Sequence, residues 1–134
     1  MSNNESTKYF DLHTNGIGYL NRVREVTPKE GNPFLSVTIA ALRGSVDNVQ
    51  YTHFECTVSG KKAQEVVRQL KPAVEGNQKV LIGFTLSDLH AESFIFKNGD
   101  KTGETGISLK SRLLRITWAK VDGQPFYSAQ DDTA

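Results

Sequence analysis

This chain has a single cysteine, Cys56, so it can form no internal disulfide and no zinc site built from cysteines. Cys56 has the apolar parity of its segment and reads as a small core hydrophobe rather than a nucleophile. Three histidines, His13, His53 and His90, lie far apart in the sequence with no carboxylate at ligand spacing, so no metal is expected. There is no phosphate-binding glycine loop, no Gly-x-Ser-x-Gly and no triad to be assembled around Cys56, which argues against an enzyme and implies no cofactor. No apolar run reaches membrane-spanning length, and the polar start MSNNESTKYF lacks a signal-peptide core. The cytoplasm is therefore the expected compartment, with no membrane partner. Net charge is only +1, so any anion-binding role must come from local clustering.

What is present is a foldable pattern. Apolar content of 37% and charged content of 23% suit a globular domain, and 134 residues suit one domain rather than two. The stretch VQYTHFECTVSGKKAQEVVRQL changes period partway through. Up to Val58 it alternates, with Phe54, Cys56 and Val58 on one side and Tyr51, His53, Glu55 and Thr57 on the other. From Lys61 the apolar residues recur as Ala63, Val66, Val67 and Leu70. The first half predicts a half-buried strand, the second an amphipathic helix over 61–75. Pro72 kinks it or marks its last turn, and Gly76 with Asn77 supplies the stop.

The remaining segments read as strands. Gly16–Val26 is the first, with its two glycines suggesting a bend or bulge. TPKEGNP is turn chemistry, and Phe34–Leu42 follows with Leu35, Val37, Ile39 and Ala41 on one side. Lys79–Leu86 is a buried fourth strand that DLHAESFIF extends towards Phe96. KNGDKTGETG is a hairpin tip, Ile107–Val121 a long fifth strand, and FYSA beyond the DGQP turn an edge strand. Three strands, a helix and two more strands is the order of the OB-fold: a mainly β, five-stranded Greek-key barrel with one helix between strands 3 and 4. Here it carries an extended strand 4–5 hairpin. A β-sandwich is the rival, but sandwiches rarely insert a helix there. The expected division is a flexible segment over 1–12, the barrel over 13–128 and a short tail over 129–134.

Single strands of nucleic acid are bound by cations that track phosphates together with aromatic faces that stack on bases, and the chain supplies both. Arg22 and Arg24 share a parity on the first strand. Lys97 and Lys101 sit at the hairpin, and Lys110 and Arg112 share a parity on strand five. Between Lys97 and Lys120 six basic residues face two acidic ones, an excess of +4 in a chain of net +1. This is either a solvated hairpin or a binding surface. Tyr51 and His53 have the outward parity of strand three. Phe84 belongs either to the core or to a groove. Phe94 and Phe96 alternate around Ile95 in the arm, fit for stacking or for an oligomer contact. Trp118, Phe126 and Tyr127 can pack across the DGQP turn. Tyr19 is left open by its flanking glycines, and Asn21 suits either a base edge or a turn.

GYLNRV, GNPFLSVTIAAL, THFECTVSGKKAQEV, EGNQKVLIGFTL and KNGDKTGETGISLK stand in an order that resembles bacterial single-stranded DNA-binding proteins over Thr14–Val121. Through YFDLHTNGIGYLNRVREV, LIGF and GISLKSRLL, nearly the whole chain is similar to a family of replication proteins of bacterial integrating conjugative elements. Where single-stranded DNA-binding proteins usually place tryptophans, the third strand has Tyr51 and His53. The resemblance implies a non-enzymatic protein that binds single-stranded DNA in replication or transfer of a mobile element. Its implied partners are that DNA, further copies of itself in a dimer or tetramer, and replication proteins of the element. The alternative is an OB-like interaction or assembly module that binds no nucleic acid. The residues expected at the DNA are Arg22, Arg24, Tyr51, His53, Phe84, Phe94, Phe96, Lys101, Lys110 and Arg112.

Overall fold

A computed structural model describes residues 10–129. The elements run β1 (His13–Val26), β2 (Phe34–Ser45), β3 (Asn48–Val58), α1 (Lys61–Glu75), β4 (Val80–Ile95), β5 (Thr105–Val121) and β6 (Gln124–Ser128). Strand order is β3-β2-β1-β4-β5-β6, and a parallel β3–β5 pairing rolls the first five strands into a closed barrel. This is the expected OB-like architecture, with the helix between β3 and β4 and a long β4–β5 hairpin. Closure covers part of the edge that a five-stranded open sheet would present, Phe54–Val58 of β3 lying against Leu109–Leu113 of β5. The proposed flexible segment over 1–12 and the tail over 129–134 fall almost entirely outside the described residues.

Alternation decides what each strand buries. Leu35, Val37, Ile39 and Ala41 of β2 point inward, as do Phe54, Cys56 and Val58 of β3. The same interior receives Ile82, Phe84 and Leu86 from β4 and Leu113, Ile116 and Ala119 from β5. The helix covers this interior with Ala63, Val66, Val67 and Leu70, all buried, and with Val74 partly so. These positions recur every three or four residues, so one stripe of the helix meets the core while Lys61, Glu65 and Arg68 stay in water. The helix ends in paired reverse bonds, Gln78 N–H to the Ala73 carbonyl at 3.0 Å and Asn77 N–H to the Val74 carbonyl at 3.1 Å. The left-handed residue that this closure needs is Asn77 (φ 62°), while Gly76 keeps a right-handed backbone.

Two expectations change. Phe84, offered as a possible groove residue, is only 2% exposed and lies among the core side chains. It shares inward parity with Ile82 and Leu86, and that parity outweighs the groove suggested by the neighbouring glycine. The aromatics around the DGQP turn do not pack on one another. Trp118 pairs with Ser128 across β5–β6, and its indole lies over Gly83 on the opposite neighbour. A Cβ at Gly83 would come within 2.4 Å of the indole nitrogen, so only glycine admits the ring there. Tyr127 turns instead towards the helix, where the Lys62 ammonium stands 5.6 Å from its ring centre. Among the described residues no helix is long and apolar enough to cross a membrane.

Candidate functional site

The outer surface of β1, β2, β3 and β5 is a grid whose rows follow from strand register. One row runs Leu81, Tyr19, Ala40, His53. The next runs Asn21, Thr38, Glu55, Lys110 and continues to His90 on β4. A third runs Arg24, Ser36, Thr57, Arg112. At roughly 4.8 Å per strand, Asn21 and Lys110 stand about 14 Å apart along their row. Tyr51 belongs to the same outward side of β3, two residues before His53.

Strict alternation from buried Leu20 would send Arg22 and Arg24 inward. The β1–β2 register instead shifts between Asn21 and Arg24, and Arg22 takes a left-handed backbone with φ 49°. One extra residue is thereby inserted, Val23 returns to the core, and Asn21, Arg22 and Arg24 are all exposed. The bulge joins two clefts. The first, about 340 Å³, has Tyr19, Asn21 and Tyr51 on the sheet and Lys79 on the loop after the helix. The ring centres of Tyr19 and Tyr51 are 6.5 Å apart, and Ala40 between their strands is 8% exposed. The second cleft, about 380 Å³, lies between the sheet and the β4–β5 arm, where Arg22, Arg24 and Lys110 face Phe94.

The arm carries rings and charge along one side. Phe94 pairs with Gly106, and its ring fills the space a side chain would need: a Cβ there would lie 2.5 Å from the ring. Phe96 meets Phe94 edge-on at 4.9 Å, and the Lys101 ammonium stands 5.7 Å from the Phe96 centre. Lys101, Phe96, Phe94 and Lys110 thus form a strip from the hairpin tip to the barrel, beside the bulge.

Acidic groups are interleaved, and the two that line the arm cleft, Glu55 and Glu92, have internal partners. Glu55 accepts a hydrogen bond from the Thr38 hydroxyl at 2.9 Å and pairs with Arg24 at 3.7 Å. Glu92 pairs with His90 at 2.8 Å, while the other imidazole nitrogen lies 2.7 Å from the Asp88 carbonyl. The Asp88 carbonyl and then the Glu92 carboxylate stabilise the imidazolium, so His90 titrates above its ordinary 6.5. Neither Arg22 nor Lys110 has an acidic partner within ion-pair reach among the described residues. Arg112 is engaged: it donates to the Ser59 hydroxyl at 2.7 Å and pairs with Asp88 at 3.5 Å, tying the end of β3 to the β4 bend.

Of the ten residues expected at a site, nine are therefore at the surface of this sheet and its arm, and Phe84 is not. Sequence reasoning left Tyr19 open, although inward Gly18 and Leu20 already imply an outward residue between them. It read Glu55 only as outward on its strand, and it did not bring Lys79 or Glu92 to the site, since their places depend on which loop and arm fold over the sheet. Buried Cys56 lies 3.2 Å from the Ser111 hydroxyl inside the barrel. Burial pushes its thiol up to about 11, so it supplies no thiolate to chemistry at neutral pH.

The chain belongs to the family described as a protein of unknown function (DUF3577), whose model matches residues 3–134. Comparison with curated proteins finds no match, and comparison with solved structures finds none either.

Proposed function

We propose that this protein is a non-enzymatic binder of single-stranded DNA that acts in replication or transfer of a bacterial mobile element. The observation that carries the reading is the β1 bulge. By turning Asn21 and Arg22 to the same face, it makes the tyrosine cleft and the arm cleft neighbours. Unpaired bases need exposed ring faces, and Tyr51 (48% exposed) and Phe94 (42%) offer them at the two ends. Phosphates need cations not already neutralised, and Arg22 and Lys110 answer that need. A duplex hides its base faces, so the rings favour single strands. The choice of DNA, and of a mobile element as the setting, follows from the motif resemblance.

Fluorescence anisotropy with a labelled oligo-dT, a duplex and an oligo-U at low salt tests the reading. The expected order is oligo-dT tightest and duplex weakest; no binding of any of the three at low salt overturns it. A second reading, an assembly module without nucleic-acid binding, draws on the other side of the arm. There Ile95 and Ile107 are 55% and 66% exposed. Light scattering that shows a dimer or tetramer, together with no oligonucleotide shift, would favour it.

A further inference from the structure

One edge of β5 lacks a neighbour over three residues. β3 pairs with β5 up to Val58↔Leu113, and the Ser59 N–H donates to the Leu113 carbonyl at 2.9 Å. On the far side β6 begins at Trp118↔Ser128, and the Ala129 N–H donates to the Thr117 carbonyl at 2.9 Å. Between these points Arg115 and Ile116 pair with β4 on one edge, and no described strand meets the other. A cleft of about 600 Å³ opens at this gap, between the start of α1 and β6. Its apolar floor includes Ala63, Val66 and Leu114, and Tyr127 forms a wall. Lys62 and Arg115 supply two positive charges, no acidic residue lines it, and neither cation has an ion-pair partner among the described residues.

We propose that this cleft docks an extended acidic segment of a partner protein, which adds a short strand to the free edge of β5 at Arg115. An open strand edge offers main-chain donors and acceptors at the spacing of another peptide backbone. Alternate side chains of such a segment reach the apolar floor, and carboxylates on the others meet Lys62 and Arg115 in charge-assisted hydrogen bonds. A polynucleotide fits less well, because it has no backbone to match the edge and the cleft's one ring is already covered by Lys62. The site shares no residue with the two clefts described above, so it stands independently of the nucleic-acid reading.

The test is anisotropy with a fluorescein-labelled peptide alternating aspartate and leucine, set against one alternating lysine and leucine and against labelled oligo-dT. The full chain should bind the acidic peptide and not the basic one. Arg115→Glu should weaken that binding about tenfold with the melting temperature unchanged. Bound peptide should also slow hydrogen exchange at the amides around Arg115. Failure of the full chain to bind the acidic peptide overturns the proposal, as does binding that survives Arg115→Glu combined with Lys62→Glu. Binding only by a chain ended at Ala129 would assign the cleft to Asp131 and Asp132 of the same molecule and overturn a partner in trans. Oligo-dT binding that is lost in Arg115→Glu would overturn the peptide class.

Discussion

Replacing Lys110 by alanine separates charge from stacking. Three of the cations on the sheet and arm, Arg22, Lys101 and Lys110, lie along the clefts and the strip beside them and have no acidic partner within ion-pair reach among the described residues. If each neutralises one phosphate, log affinity for a single strand falls against log salt with a slope of about −2.1, at roughly 0.7 per phosphate. Between about 50 and 200 mM salt that is a loss of roughly 20-fold. Lys110→Ala leaves two such contacts, so the slope flattens to about −1.4 and the loss over the same range to roughly 7-fold. Tyr51→Ala removes a ring and no charge. It should weaken binding by about 1–3 kcal/mol, or roughly 5- to 150-fold, at every salt concentration and leave the slope where it was. The measurement is an oligo-dT titration at four salt concentrations for wild type, the two variants and Lys71→Ala, whose lysine pairs with Glu75 on the helix. Three results would refute the reasoning: an unchanged slope in Lys110→Ala, a flattened slope in Tyr51→Ala, or a flattened slope in Lys71→Ala.

Arg112→Ala removes the ties to Ser59 and Asp88, so it should lower unfolding free energy by about 1–3 kcal/mol in urea melts and shift the salt slope less than Lys110→Ala does. Cys56, with its thiol near 11, should resist iodoacetamide at pH 8 in the folded protein and react once urea unfolds it, as followed by mass spectrometry. His90 titrates above its ordinary 6.5 in the folded state, so its contribution to stability is complete below that value and is lost as pH rises through the higher folded value. A profile of melting temperature against pH should show this step in the wild type and lack it in His90→Gln.

The order of elements was legible because the hydrophobic period changes where the backbone changes. The switch at Ser59–Gly60 marks the start of the helix at Lys61, and the stop signals at Gly76 and Asn77 place its end at Glu75. Outward parity on β3 was equally legible, since Phe54, Cys56 and Val58 fix the inward side and leave Tyr51 and His53 no other choice. Phe84 was not, because VLIGFTL is apolar at nearly every position and alternation then carries no phase. Nor was the commitment of Arg112, whose partners Ser59 and Asp88 are 53 and 24 residues away and meet only after the barrel closes.

β1 shows why the candidate site was only half legible. Leu20, Arg22 and Arg24 share one parity and Val23 the other, so a regular strand that buries Leu20 must bury two arginines and expose a valine. A buried, unpaired guanidinium costs far more than the ladder hydrogen bonds disturbed by one extra residue. The strand therefore breaks phase, and the position at which it does so is the left-handed Arg22. The conflict was visible in the sequence, but its resolution was not, since a bulge one residue earlier or later would satisfy the same burial. Its actual position has a consequence beyond stability. Asn21 opens the row next to the one that holds Tyr19, Arg22 opens onto the arm, and a cleft of rings and a cleft of charges become adjacent because one residue was inserted between Leu20 and Val23.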